Sequence, residues 1–410
     1  MERYLVGGAV RDRLLGLSAK ERDWVVVGGT PEEMEARGFQ PVGRDFPVFI
    51  DPDTGEEHAL ARTERKSGQG YHGFVFQASP SVRLEDDLVR RDLRINAMAQ
   101  TEDGRLVDPF DGLADLRAGL LRHVSPAFVE DPLRILRVAR FAARLHQLGF
   151  RVADETRELM ARIAANGELR VLTPERVWQE TRRALSEPTP WIYFQVLLEC
   201  GALGQVFPEI ERLFGVPAPA RHHPEVDSGV HTLLALEQAS YLSNDPRIRF
   251  AALVHDLGKA DTPPKEWPKH PGHAERGVPR IREMAERLRI PNEYRELGCL
   301  VSRWHIHVHR ALQLRPGTVM KLLEGSDALR RPERFEEMLL ACEADARGRT
   351  GLERRPYPQA ALLRACREAA ARITGKDVDA GRFQGPAFGE ELRRLRLQAV
   401  VREKAQWQDG

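Results

Sequence analysis

Short apolar runs, separated by glycine and proline, fill the first 125 positions of the chain. "RYLV" (3–6), "DWVVV" (23–27), "FPVFI" (46–50) and "HALA" (58–61) have strand length, with one or two helical segments among them. A Gly-rich stretch, "SGQGYHG" (67–73), reads as a loop between strands. From about residue 130 strand signals fade. Apolar positions then recur at helical spacing in "DPLRILRVARFAARLHQLG", "TRELMARIAAN" and "PERVWQETRRALS", with proline or glycine stops. "FGVPAPARHHPEVDSG" (214–229) is Pro/Gly-rich and non-periodic, which marks a domain boundary, and helices carrying most of the histidines follow it. The pattern predicts an α+β module over residues 1–129, helical segments over 130–220 and 221–350, and a helical tail over 351–410.

The 410 residues leave room for two to four domains, each with a core. No apolar run approaches bilayer-spanning length, and "MERYLVGGAVRDRLLG" enters charged, Gly-rich sequence too soon for a signal peptide. Cys200, Cys299, Cys342 and Cys366 form no CxxC pair, so neither a disulfide framework nor a zinc ribbon is indicated. These features predict a cytoplasmic protein with no membrane partner. A net charge of +1 decides nothing about nucleic acid. Only eight of the 62 basic residues are lysine, a bias that a GC-rich genome produces, so arginines are given functional weight only within motifs.

Two carboxylates, Glu21 and Asp23, precede the apolar run of residues 24–27 and project to one side of a strand. Thirteen residues earlier, "LVGGAVRD" (5–12) reads as strand, glycine pair and helix, where backbone N–H groups can approach a phosphate. A phosphate cradle followed by two hard oxygen ligands is what Mg²⁺-assisted nucleotidyl transfer requires. "LVGGAVRDRLLG", "ERDWVVVG", "RRDLRINAMA" (90–99), "DPFDGLADL" (108–116), "EDPLRILRVARFAARL" (130–145) and "LTPERVWQE" (172–180) occur in one order. That order resembles class II tRNA nucleotidyltransferases, the CCA-adding enzymes of the polymerase-β-like superfamily. The resemblance implies a polymerase-β-like nucleotidyltransferase head followed by all-helical RNA-binding domains. It assigns Mg²⁺ to Glu21 and Asp23, with a glutamate where many relatives carry aspartate. Gly8, Arg11 and Arg91 would contact the triphosphate, Asp92 and Asn96 would fix the local fold, and Glu57 is a candidate third carboxylate.

In "EDPLRILRVAR", Asp131, Arg134, Arg137 and Arg140 recur every third residue, while Ile135, Val138, Ala139 and Ala142 suit a buried face. The resemblance implies that a carboxylate and an arginine of this motif pair with the edge of the incoming base. One acceptor and one donor can satisfy both cytosine and adenine, whereas guanine and uracil would leave buried groups unpaired. Asp131 and Arg134 are therefore expected to read the base, with Arg137 and Arg140 binding the nucleotide more loosely.

A second constellation begins at "VHDLGK" (254–259). His231, His255, Asp256, His273, His305 and Asp345 follow the order of HD-superfamily phosphohydrolases, and mixed imidazole and carboxylate ligands suit a transition metal such as Ni²⁺. His231, His255, Asp256 and Asp345 are the expected ligands. Lys259, His273 and His305 are expected on the substrate side or behind the ligands, and His307 and His309 on the surface. The leading expectation is an enzyme that builds or repairs the 3′-terminal CCA of tRNA from CTP and ATP. Its HD domain would add metal-dependent phosphohydrolase activity toward 2′,3′-cyclic phosphates, 2′-nucleotides or phosphate monoesters, in a monomer or weak homodimer. Open alternatives are a CC-adding, A-adding or poly(A)-polymerising enzyme, or an HD phosphodiesterase whose N-terminal module only binds tRNA.

Overall fold

The computed structural model describes residues 1–19, 22–42, 48–66, 74–220 and 224–409. It divides into two compact units, Met1–Val206 and Phe207–Gly410. The division falls ahead of the Pro-rich stretch. Phe207, Ile210 and Leu213 are buried, and Arg212 and Glu209 are tied to Asp261 and Arg287 of the second unit. No described helix is long and apolar enough to cross a membrane.

In the first unit the apolar runs form a mixed sheet. Its strands are β1 (Glu2–Val6), β2 (Asp23–Val27), β3 (Gln40–Val42), β4 (Val48–Ile50) and β5 (Glu57–Leu60); a separate hairpin, β6 (Arg62–Lys66) with β7 (Phe74–Ala78), follows, and β8 (Ala99–Thr101) and β9 (Leu106–Val107) return to the sheet. The sheet order is β3-β4-β5-β2-β1-β8-β9, with β2 and β5 parallel and the other neighbours antiparallel. Helices α1 (Gly8–Leu14), α2 (Pro31–Ala36), α3 (Leu84–Leu88) and α4 (Gly112–Ala118) belong to the same region. Alternation along the strands sends Leu5 and Trp24 to one face, with Ala9, Val10 and Leu113. Val6 and Val25 go to the other, with Leu84 and Leu88. The aspartate that opens "DPFDG" has a mechanical role: the two carboxylate oxygens of Asp108 accept from the backbone N–H groups of Gly112 and Leu113 and start α4.

Strands β10 (Leu120–Leu121) and β11 (Arg151–Val152) pair in parallel around α5 (Leu133–Leu145). Helices α6 (Asp154–Ala165), α7 (Pro174–Leu185), α8 (Pro190–Glu199) and α9 (Leu203–Val206) complete the unit, and α5 packs on α7 and α8.

The longer regular elements described in the second unit are helices: α10 (Pro208–Glu211), α11 (Ser228–Leu242), α12 (Pro246–Val254), α13 (His273–Arg287), α14 (Asn292–His309), α15 (Pro316–Gly325), α16 (Pro332–Arg347), α17 (Pro358–Ala371) and α18 (Pro386–Asp409). Its core joins Ala251, Val301, Val319, Leu323, Phe335, Leu339 and Leu363, so α12, α14, α15, α16 and α17 share one apolar centre.

Candidate nucleotidyl-transfer and metal centres

Asp23 opens β2, opposite Val6 of β1 and in register with Glu57 of β5. Registered neighbours in a sheet project to the same face, so the Asp23 and Glu57 carboxylates share one side of the sheet at an exposed strand mouth. Glu21 lies outside the described residues. Gly7, between β1 and α1, adopts φ 69°, and a Cβ there would stand 2.8 Å from Nη1 of Arg91. Only glycine brings the backbone this close to that guanidinium. Arg91 is held by Asp87 at 3.3 Å, while its buried Nε finds no partner among the described residues. A buried donor with no acceptor beside an open glycine turn suits a phosphate oxygen.

Arg11 is placed differently. It is buried, Nε and Nη2 donate to Oδ1 of Asp12, and Nη1 donates to the side-chain oxygen of Asn96 at 2.6 Å. Burial pulls its pKa down, against the pull of Asp12. Asn96 in turn donates to Asp92, whose other oxygen accepts from Nε of Arg137 at 2.8 Å. Burial would raise the Asp92 pKa, but Arg137, Asn96 and the Leu93 N–H outweigh it and hold the carboxyl well below its usual range.

Helix α5 is therefore not a free basic face. Arg134 is buried and donates to the carbonyls of Ala127 and Arg90. Arg140 is buried against Glu180 at 2.7 Å, and Arg144 reaches Asp12 at 2.6 Å. The arginine stripe is taken up by carboxylates and backbone carbonyls because α5 is covered on both sides, by Asp12 and Asp92 of the sheet-bearing region and by α7 and α8. Asp131 stands apart from this lattice. Its Oδ1 accepts from the N–H of Leu133, and its Oδ2 accepts from Arg176 at 2.7 Å while staying partly exposed. Arg176 and Glu180 were given no role in the sequence reading. Their four-residue spacing in "PERVWQE" puts both on one face of α7, and that face meets α5.

The second unit gathers side chains from five helices. His231 comes from α11, His255 and Asp256 from the end of α12, His273 from the first residue of α13, His305 and His309 from α14, and Asp345 from α16. His231, His255, His273 and His305 each direct Nδ1 at a backbone carbonyl, of Gly348, Ala252, His270 and Ser302 respectively, at 2.7–2.9 Å. Nδ1 thus keeps the proton, and each Nε2 turns its lone pair inward. Two compact sets result, His231–His255–Asp345 and Asp256–His273–His305, with the donor atoms of each within 4.8 Å of one another.

The donor set fits a metal on this chain's own geometry. Among the described residues, Nε2 of His255 and Oδ1 of Asp256 are buried with no hydrogen-bond partner, although they approach other members of the cluster. Burial would lower the His255 pKa, but Asp256 and Asp345 push it up to about 9, while burial takes His305 down to about 3. The two carboxylates are held far below their usual range despite burial, by His255 and Lys259 at Asp256 and by His309 and His255 at Asp345. Two buried ionised carboxylates that draw a proton onto His255 call for positive charge at this point, which a metal ion would supply in place of that proton.

His309, expected on the surface, is a correction. Its Nε2 lies 2.5 Å from Oδ2 of Asp345 and its Nδ1 2.8 Å from the Tyr357 hydroxyl. The signal was present: 305 and 309 are four apart and share a helix face, whereas 307 turns away and packs on Trp304. Lys259 is 2.6 Å from Asp256, and Arg349 is 3.5 Å from Asp345. With Arg310, Arg355 and Tyr357 they line a cavity of about 660 Å³ over the cluster. Gly258, in the motif itself, has no room for a side chain: a Cβ would stand 2.0 Å from the carbonyl of His273.

Comparison with known proteins follows the same division. Residues 3–122 match the poly A polymerase head domain, 149–214 the probable RNA and SrmB-binding site of polymerase A, and 229–347 the HD domain. The chain is 62% identical over 407 residues to a multifunctional CCA protein of Thioalkalivibrio sulfidiphilus, covering 99% of this chain and all of the relative. It is 58% identical to that of Pseudomonas aeruginosa, covering 98% of both. Among solved structures, a CCA-adding enzyme in its apo form II aligns with TM-score 0.67 at 20% identity, covering 99% of this chain and 90% of that one. The Thermotoga maritima CCA-adding enzyme complexed with tRNA aligns with TM-score 0.63 at 21% identity, covering 99% and 91%. At such identities the structural likeness speaks for the fold.

Proposed function

Because the chain belongs to the family of multifunctional CCA proteins, we propose that it adds and repairs the 3′-terminal CCA of tRNA from CTP and ATP without a nucleic-acid template, and hydrolyses phosphoesters at its HD centre. One observation carries this reading: the head, RNA-binding and HD matches occur in a single order within a chain that aligns end to end with its relatives. The domains are taken as 1–129 for the head, 130–220 for the nucleotide-selecting and tRNA-binding part, 221–350 for the HD domain and 351–410 for a tail. The chain works in the cytoplasm, as tRNA processing in its bacterial relatives implies.

Asp23 and Glu21, with Glu57 beside Asp23 in the sheet, would hold Mg²⁺, as hard oxygen donors favour. Bound there, the ion would polarise the α-phosphate and neutralise the triphosphate. The chain's own groups do the rest. The Gly7–Gly8 turn admits the phosphates, and the unpartnered Nε of Arg91 donates to one of them. Asp131, oriented by Arg176, accepts from the amino group of cytosine or adenine. Arg134 can join it only by exchanging its present carbonyl acceptors for the base. Arg11, Arg137 and Arg140 act through the lattice that fixes α5, rather than as free nucleotide-facing cations.

At the HD centre, His231, His255 and Asp345 would form one metal seat and Asp256, His273 and His305 a second, with Ni²⁺ or a similar ion matching imidazole donors. Such an ion supplies an activated water and a Lewis acid for the phosphoryl oxygen. Lys259 and Arg349 receive the remaining phosphate charge, and His309 holds Asp345 in place. The deciding assay supplies purified protein and tRNA lacking CCA with CTP and ATP, separately and together, and resolves products to single nucleotides. Addition of two C and then one A is expected. Addition of C alone, A alone or a long A tract would replace this reading with the corresponding narrower enzyme.

A further inference from the structure

On the second unit, helices α13 and α14 enclose a groove of about 1000 Å³ that belongs to neither reaction centre. Arg295, Cys299 and Arg303 follow one another at four-residue steps along α14, a row about 12 Å long from end to end. Position 299 is six residues from His305, about 120° around the helix, so this row faces away from the histidine–carboxylate cluster. Arg282 of α13 comes in from the opposite wall, and Arg334 of α16 and Trp304 close one end. The Cys299 thiol lies where Arg282, Arg295 and Arg303 all act on it.

The arginine excess of the chain does not explain this arrangement. On the same α13, Arg280 and Arg287 are held by Asp261 and Glu209 at 2.6 and 2.7 Å. Arg282, Arg295 and Arg303 have no carboxylate within 4 Å among the described residues. Arg334 spends Nη1 on Glu296 and Nη2 on the Ser326 carbonyl, yet its buried Nε has no partner. The buried Nε1 of Trp304 has none either among the described residues. Glu286 and Glu296 also line the groove, but among the described residues neither pairs with Arg282, Arg295 or Arg303. These cations and the orphaned donors are open to phosphate oxygens, acceptors of the right charge and geometry for guanidinium groups. A row two helical turns long spans more than one phosphate, which favours a polymer over a single anion.

We propose that this groove binds the phosphodiester backbone of tRNA, as a contact separate from the two reaction centres. The inference rests on tRNA being the substrate and adds where the second unit grips it.

The test compares full-length wild type, the charge-reversed R295E/R303E, and R330E/R394E as a reversal of equal size on exposed arginines elsewhere in the unit. All three should have thermal midpoints within about 3 °C. tRNA Kd is measured across a salt series. R295E/R303E should raise Kd about tenfold or more at low salt and flatten the slope of log K against log salt by about two. Its kcat at saturating tRNA, and metal-dependent hydrolysis of bis-p-nitrophenyl phosphate, should stay at wild-type levels. The control should move Kd less than about threefold. Equal Kd and slope in R295E/R303E and the control would overturn the proposal. So would wild-type binding of pyrophosphate that R295E/R303E abolishes while tRNA Kd is unmoved, since the ligand would then be a small phosphate. If wild type binds tRNA through these arginines but adds no nucleotide, the groove stands and the CCA-adding reading falls.

Discussion

Nε of Arg137 lies 2.8 Å from Oδ2 of Asp92, and this pair fastens α5 to the loop that carries Arg91 and Asn96. Asp92 also takes donors from Asn96 and the Leu93 N–H, so the loop of the phosphate-side arginine and the helix that begins just after Asp131 are positioned by one carboxylate. Asp92→Asn should cost about 3 kcal/mol, the low end for breaking a buried pair because Arg137 is 36% exposed. The folded Asp92 pKa is depressed, so its contribution is complete above the unfolded value, near about 4, and is lost as pH falls through the folded one. Denaturant unfolding at several pH values should therefore show wild type losing its advantage over Asp92→Asn only below about pH 4. A constant difference down to about pH 2 would remove the carboxylate from this role.

Asp23→Ala should abolish addition of both C and A while tRNA Kd changes little, since phosphoryl transfer depends on positioning and charge neutralisation. Retention of more than about a tenth of the wild-type kcat would sink the metal assignment. Glu57→Gln is the sharper measurement. As a third ligand, Glu57 would make kcat fall at least about tenfold and move its Mg²⁺ dependence to higher concentration. An unchanged Mg²⁺ curve would leave it as a strand-end carboxylate.

Asp131→Ala should relax choice among CTP, ATP, UTP and GTP more than it weakens triphosphate binding, because the acceptor for the amino group is lost. Arg176→Ala should give a weaker form of the same change, since Arg176 holds Asp131 rather than the base. Competition assays at single-nucleotide resolution read both. Unchanged discrimination in Asp131→Ala would make this carboxylate simply the start of α5.

Replacing His255 and Asp256 together by alanine should remove hydrolysis of 2′,3′-cyclic phosphates and leave CCA addition within about threefold. Hydrolysis in wild type should respond to added Ni²⁺ or Co²⁺, and addition to Mg²⁺, following ligand hardness. Loss of addition in a folded double variant would mean that the two centres act as one.

His309→Ala should lower hydrolysis about 10- to 100-fold through loss of the group that holds Asp345, with metal affinity falling in parallel. Tyr357→Phe should give a smaller loss in the same direction, because the phenol only steadies His309. Metal titration by calorimetry separates this from a purely structural effect, which would lower the thermal midpoint without shifting metal Kd.

The strand that Asp23 opens and the HD cluster were legible because each rests on a short local signal: a β-branched apolar run in β2, and a His-Asp dipeptide at the end of an apolar helix. Arg134 and Arg140 were harder to place. Spacing of three announces a stripe but says nothing about what covers it, and here Glu180 and backbone carbonyls do. His309 was misplaced because three alternate histidines in "HIHVH" look alike until helical phase separates them. The pairing of His273 and His305 with Asp256, in a set distinct from His231, His255 and Asp345, depends on five helices meeting and leaves no local trace. Nor does the division after Val206, beyond which Arg212 pairs with Asp261 and Glu209 with Arg287.

The space denied to a side chain at Gly258 bears on how this activity could be lost over time. Every single-base change to a glycine codon that alters the residue adds a β-carbon or ends the chain. Here any β-carbon must displace the first turn of α13, which presents His273 to Asp256. A lineage released from the need for hydrolysis could therefore silence the centre through this one position with every metal-ligating residue still spelled out. Inspection of those residues alone would count such a descendant as active, whereas a residue larger than glycine at 258 would mark it as a relic.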